Sequence, residues 1–134
     1  MLKDIKFKKV NNVALAMVPE SKKGEDTIWY SYIINLKKKS IFNILINSKG
    51  YGKINDEQRK TSTLRYFIEE LKPDEFKRFE PIDPNLLHMA HEFWISFQEN
   101  KKMLDKKYIF LPETLNDDNV VEIPSLNKKG VLII

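Results

Sequence analysis

The stretch from Thr27 to Gly52 constrains this chain more than any other. It reads TIWYSYIINL, then KKK, then SIFNILINS, then KGYG. Runs so rich in β-branched and aromatic residues favour the pleated surface of a strand. In the first run Ile28, Tyr30, Tyr32, Ile34 and Leu36 form an unbroken apolar face, while Trp29, Ser31, Ile33 and Asn35 alternate on the other. In the second, Phe42, Ile44 and Ile46 share one face, and Ile41, Asn43, Leu45 and Asn47 share its opposite. Directly paired residues of a hairpin point to the same side. A turn at Lys37–Lys39 therefore sets Ile34 against Phe42, Tyr32 against Ile44 and Tyr30 against Ile46. A slip of one residue would turn Asn43 and Asn47 into the core. The alternative is that the two strands cross between the sheets of a sandwich.

The rest of the chain keeps the same style. Val13 to Val18 reads as a first strand closed by Pro19, and Ser21 to Asp26 as a polar turn. Asp56 to Thr61 reads as a polar loop. Thr63 to Phe79 is ambiguous, because Leu64, Phe67, Ile68 and Leu71 fit a helical face. The Pro73-Asp74 turn chemistry favours two strands there instead. Asp83-Pro84 is a helix start, with a capping aspartate and proline at the first helical position, and predicts a short helix to about His91. Glu92 to Gln98 reads as a strand with Phe93, Ile95 and Phe97 on one face. Asn100-Lys101 turns the chain, and Met103 to Leu111 returns. Pro112 to Asn119 is a loop, and Val120–Ile123 and Val131–Ile134 are terminal strands. About seven or eight short strands with turns between them predict a single all-β domain over residues 1–134. The expected architecture is an antiparallel β-sandwich, immunoglobulin-like or related, with at most one short helix.

Composition narrows the function classes. The charged fraction is 31%, but 23 basic residues face 19 acidic ones, for a net charge of +4. The arginines are Arg59, Arg65 and Arg78, and lysine supplies the other basic groups, so forked recognition of phosphates and bases has few tools. There is no cysteine, hence no thiol chemistry or disulfide framework. MLKDIKFKKVNN lacks the apolar core of a signal peptide, and no apolar run reaches membrane-spanning length. A cytoplasmic location with no membrane partner is the expectation. Lysine pairs such as Lys8-Lys9, Lys22-Lys23, Lys101-Lys102 and Lys128-Lys129 fall mostly at the inferred turns, where they aid solubility and guard strand ends.

Few residues suggest chemistry. His88, His91 and Glu92 have the spacing of ligands on a helix, but a metal site needs a third or fourth ligand, and none stands nearby. No metal and no cofactor is called for. The adjacent carboxylates Glu69-Glu70, Asp74-Glu75 and Asp117-Asp118 point to opposite faces of a strand and make poor acid–base pairs. Nucleophile elbows, phosphate loops and dinucleotide fingerprints are absent, so a non-enzymatic protein is expected. Lys49-Gly50-Tyr51-Gly52 matches the first half of an RNA-recognition signature; Lys53 and Asp56 depart from the second half. Its plainer reading is a glycine bulge or turn after a strand. The sharper lead is the half-apolar face of Trp29, Ile33, Ile41 and Leu45, joined by Trp94. Trp29, Ile33, Leu45 and Trp94 are the candidate contact residues for a protein partner or a second copy, a homodimer being one form of that contact. Lys49, Tyr51, Lys53 and Arg65 are the candidates if the partner is RNA.

Four stretches carry a family likeness: Lys60-Thr61-Ser62-Thr63-Leu64-Arg65, Phe93-Trp94-Ile95-Ser96-Phe97, Asp105-Lys106-Lys107-Tyr108 and Lys128-Lys129-Gly130-Val131. On these the chain resembles a group of short bacterial proteins labelled as a phenylalanyl-tRNA synthetase beta-chain domain. The stretches are strand and turn landmarks. The resemblance implies a detached, non-catalytic accessory module associated with RNA or tRNA, and it carries over no functional residue.

Overall fold

The computed structural model describes residues 12–21 and 23–134. The N-terminal stretch behind the expected location, and Lys8, Lys9 and Lys22, lie outside the described residues. Ten strands run in the order β1 Val13–Glu20, β2 Ile28–Asn35, β3 Ile41–Ile54, β4 Glu57–Lys60, β5 Leu64–Leu71, β6 Phe76–Ile82, β7 Ala90–Glu99, β8 Lys102–Phe110, β9 Val121–Ile123 and β10 Lys128–Ile133 among the described residues. They form two antiparallel sheets packed face to face, an all-β sandwich as expected. The first sheet has the order β6-β2-β1-β10-β9. The second has the order β4-β3-β7-β8, with β5 also on β3. β5 pairs with the first half of β3 and β4 with its end, both on the side away from β7.

The core lies between the sheets. Val13, Leu15 and Met17 of β1 and Trp29 and Ile33 of β2 meet Ile44 and Ile46 of β3, Phe93, Ile95 and Phe97 of β7, and Phe110 of β8. Four aromatic rings cross it edge to face, with centroids 5.3 Å apart for Tyr66–Phe79, 5.8 Å for Phe79–Phe93 and 5.9 Å for Phe93–Phe110. Tyr108 reaches from β8 to the other sheet, its hydroxyl donating to the Val13 carbonyl at 2.6 Å. The expected inward face of β7 is thus correct, and so are two strands around Pro73-Asp74 in place of a helix.

The hairpin across Lys37–Lys39 does not form. β2 lies in the first sheet and β3 in the second, so the crossing between sheets is the arrangement found. Ile34 sits opposite Ala14 and Phe76, and Phe42 opposite Glu70 and Gln98. The physical reason is Asn35, which is fully buried. Its amide donates to the Lys39 carbonyl and the Leu71 carbonyl, both at 2.9 Å, and its side-chain oxygen accepts from Lys37 N at 2.9 Å. Its main chain exchanges hydrogen bonds with Glu75 and Asp74. One asparagine therefore ties together the two crossings, β2 to β3 and β5 to β6, and every polar group that it buries is satisfied.

A second local feature resets the alternation within β3. Asn43 has φ 51, and the pairing with β7 shifts between Phe42–Gln98 and Leu45–Ser96. This is a bulge, which places two residues of one strand against one of its partner. Ile41 and Ile44 both point inward as a result, while Phe42 joins Leu45 outside. The shared face expected for Phe42, Ile44 and Ile46 is broken there.

Three further expectations are corrected. Asp56–Thr61 is not a loop, because Glu57–Lys60 pairs with the end of β3 through a two-residue turn at Asn55 and Asp56. Both turn residues have positive φ, 52 and 64, as a hairpin turn of the primed type requires. The helix from Pro84 shrinks to a single 3-10 turn, Pro84–Leu86. Asp83 caps it as expected, accepting from Asn85 N at 2.9 Å, but pairing of Ala90 and His91 with β3 draws the chain into β7. Finally, Lys49-Gly50-Tyr51-Gly52 neither bulges nor turns; it lies inside β3. The break falls in the neighbouring chain, where Thr61 bonds Gly50 twice, its N donating to the Gly50 carbonyl at 2.8 Å and its hydroxyl oxygen accepting from Gly50 N at 2.7 Å.

Candidate binding face and cavity

The four residues proposed as one contact surface are divided by the fold. Trp29 is 5% exposed and Ile33 is fully buried, both within the core between the sheets. Leu45 and Trp94 are 47% and 40% exposed on the outer face of the second sheet. The inversion at β2 follows from its tyrosines. Tyr32 carries a hydroxyl that needs a polar partner, and at the outside it finds Glu20 at 2.9 Å. Burial and that carboxylate push the Tyr32 hydroxyl pKa up to about 12. Trp29 and Ile33 therefore take the inner side.

The outer face of the second sheet is built of cross-strand rows. One row runs Arg65, Asn47, Trp94, Lys107. The next runs Phe67, Leu45, Ser96, Asp105, and the third Glu70, Phe42, Gln98, Met103. Phe67 is 61% exposed and Met103 60%. Asn43 donates to Gln98 at 2.9 Å, which stiffens the third row. The Lys107 ammonium stands 5.2 Å from the Trp94 ring centroid, within reach of its negative face. Glu92 lies between Lys49 at 3.3 Å and Lys107 at 3.8 Å. Asn47, Lys49, Arg65, Glu92 and Trp94 line a shallow groove of about 270 Å³.

The RNA candidates fall partly together. Lys49, Tyr51 and Lys53 alternate along β3, and Arg65 sits beside Asn47, so all belong to the rows that continue from Trp94. Lys49 is already paired with Glu92. His88 and His91 do not converge with a third ligand: no group of three histidine, aspartate or glutamate side chains able to hold a metal occurs among the described residues.

One constellation is invisible in the sequence spacing. Glu80 of β6 is 6% exposed and bridges the sheets, accepting from the Ser48 hydroxyl at 2.9 Å and the Tyr66 hydroxyl at 2.8 Å. Burial raises its pKa, and the two hydroxyls only partly offset that. His91 is also buried, with Nε2 2.8 Å from the Leu86 carbonyl. Burial lowers its pKa, so its neutral form is favoured. Ser48, Glu80 and His91 line one cavity of about 240 Å³. A buried glutamate at position 80 of an alternating strand is the only hint a sequence could offer.

No family model, no curated protein and no solved structure matches this chain. No helix among the described residues is long and apolar enough to cross a membrane. The fold and the face together define a class, an antiparallel β-sandwich with one open, aromatic sheet face.

Proposed function

We propose that this protein is a cytoplasmic, non-catalytic binding module that pairs with a second copy of itself through the outer face of its second sheet. The observation that carries the reading is the contiguous exposure of Phe42, Leu45, Phe67, Trp94 and Met103. Side chains of that size and exposure present on the order of 500 Å² of apolar surface, at the upper end for an ordinary monomer. The charges favour a second copy over an unrelated partner. Arg65 and Lys107 end one row, Glu70 heads the row two steps away, and Asp105 ends the row between them. A two-fold axis along the Leu45 row sets Arg65 of each copy over Glu70 of the other, a reciprocal opposite-charge contact of the kind an isologous interface needs. The neutral centre with a charged rim also matches the anatomy of protein interfaces.

The test is oligomeric state with charge reversal. Arg65→Glu is expected to weaken the dimer at least tenfold, and the double variant Arg65→Glu/Glu70→Arg to restore it, read by light scattering across a concentration series. A wild-type chain that stays monomeric, or a dimer indifferent to both changes, overturns the reading. An immunoglobulin-like kinship stays within the same proposal and rests on two antiparallel sheets joined by crossings.

A second reading has one observation in its favour. Lys49, Tyr51, Lys53 and Arg65 share the outward side with Trp94, and the KGYG segment lies within a strand. An aromatic, basic sheet face suits stacked single-stranded bases. In this reading the chain is an RNA- or tRNA-associated accessory module of the kind that the synthetase beta-chain resemblance implies. Binding of a tRNA pool that weakens steeply with salt and is lost in Tyr51→Ala supports it. A flat titration at low salt removes it.

A further inference from the structure

The cavity between the sheets has walls and floor of different character. Leu64, Ile82 and Leu86 supply apolar wall, and Ser48, Glu80 and His91 supply the polar groups. Its volume, about 240 Å³, is below the range of drug-sized pockets. A ligand that fills it is small.

The free hydrogen-bonding capacity of that lining is almost entirely on the acceptor side. Ser48 and Tyr66 spend their hydroxyl hydrogens on Glu80. Thr61 spends its own on the Ser62 carbonyl at 3.0 Å. The His91 Nε2 faces a carbonyl and so must carry the ring hydrogen, which leaves Nδ1 a bare lone pair. Nδ1 lies on the Gly50 side, 3.5 Å from where a Cβ on that glycine would stand. Asp83 uses one oxygen on Asn85 N. What remains is the second oxygen of Asp83, the His91 lone pair, the lone pairs of Glu80 not taken by Ser48 and Tyr66, and the Ser62 hydroxyl, the one side-chain donor left in the lining.

Charge sharpens the point. Glu20, the comparable carboxylate of the first sheet, holds Lys128 at 2.6 Å and Arg78 at 3.2 Å. Glu80 is at least as deeply enclosed, yet its hydrogen bonds come from neutral hydroxyls alone. Among the described residues no ammonium or guanidinium pairs with it. A buried carboxylate without a counter-charge is costly, and a cation entering the cavity would relieve that cost. A metal ion would need ligands that do not gather here. A neutral alcohol would leave the charge uncompensated.

We propose that this cavity is a binding site for a small primary alkylammonium ligand, its –NH₃⁺ group seated on Glu80 and its short alkyl body against Ile82 and Leu86. The three ammonium hydrogens meet the acceptors of Glu80 and its neighbours, and the alkyl chain meets the apolar wall. This site is independent of the sheet face described above.

The experiment is a titration of the ¹⁵N-labelled full chain with n-butylammonium, beside 1-butanol and butyrate as neutral and anionic controls. The expected result is saturable shifts at the Gly50, Ser62 and His91 amides with butylammonium alone. Glu80→Gln is expected to weaken binding at least tenfold while the amide spectrum keeps its dispersion. No saturable shift with butylammonium, an equal response to butanol, or unchanged affinity in Glu80→Gln overturns the proposal. A second readout covers a Glu80→Gln chain that fails to fold. In the wild type, saturating butylammonium should move the titration midpoint of the Glu80 carboxyl carbon to lower pH by about one unit, a tenfold linkage. A midpoint that does not move also overturns it.

Discussion

The two outer faces of this sandwich start from similar alternating patterns and end in opposite states. On the first sheet Ala14, Ala16, Val18, Tyr32 and Ile34 are buried, with Ile123 and Leu126 of the β9–β10 region packed among them. On the second sheet Phe42, Leu45, Phe67, Trp94 and Met103 remain open. The first face uses small residues, two alanines on β1, which let chain approach closely. Gly130 extends that design: a Cβ there would stand 2.7 Å from the Met17 carbonyl and 2.9 Å from Val18 Cγ2. The second face uses large, partly aromatic side chains spaced by Ser96, Asn47 and Gln98. Small residues buried under the molecule's own chain mark a structural face; large exposed ones, spaced by Ser96, Asn47 and Gln98 with Arg65, Lys107, Glu70 and Asp105 at the row ends, have the composition of a contact face.

The strongest way to break this comparison is to place one charge on each face. Ile34→Asp is expected to cost ~4 kcal/mol or more, enough to unfold much of the chain, because it buries an unpaired carboxylate. Leu45→Asp is expected to change monomer stability by less than ~0.5 kcal/mol. Urea midpoints of similar size for the two variants would show that the faces do not differ. Next comes Asn35→Leu, which orphans the Lys39 and Leu71 carbonyls and Lys37 N and should cost ~3 kcal/mol. A loss below ~1 kcal/mol would mean that the crossings hold without it. Gly130→Ala should cost ~2 kcal/mol through forced separation of β10 from β1, measured by the same urea midpoints. Gly50→Ala should cost less, since its nearest neighbour is a methyl group at 3.3 Å.

The smallest effect is a pH dependence. The folded chain raises the Glu80 pKa above its ordinary 4.5, so the folded state holds that proton more tightly than the unfolded one. Stability tied to Glu80 is present at low pH and is lost as pH rises from about 4.5 through the folded value. His91 runs the other way. Its pKa is lowered from 6.5, so its contribution is present above that value and is lost as pH falls below it. The difference in stability between Glu80→Gln and wild type should therefore grow in favour of the variant from pH ~4.5 upward. A difference that is flat or of opposite sign would contradict the buried, unpaired state of Glu80.

Much of the fold was legible where alternation was clean and local. β7 declares its inner face through Phe93, Ile95 and Phe97, and Trp94 stands outside as read. The turn at Pro73-Asp74 separates β5 from β6, although those strands join different sheets. Failures came where a single polar residue outweighed the pattern. Asn35 reads as an outward polar position, yet it is buried and directs two crossings, and with the hairpin gone the parity that exposed Trp29 fails. Asn43 shifts the phase of β3 by adopting a positive φ that no hydrophobic pattern announces. β4 is polar along its length and exposed, so only the Asn55-Asp56 turn could have disclosed it. Of the candidate site, Leu45, Trp94 and Arg65 were within reach of sequence. Phe67 and Met103 join them through register, and Ser48, Tyr66, Glu80 and His91 meet only because two sheets close on one another.

The central claim is that the open sheet face pairs two copies of the chain. Light scattering on the eluting protein, wild type beside Leu45→Asp, tests it most directly. A wild-type dimer at ~0.1 mM, with Leu45→Asp monomeric and its circular dichroism unchanged, is the expected result. A wild-type chain that stays monomeric to ~0.5 mM, or a Leu45→Asp chain that dimerises equally well, would contradict it.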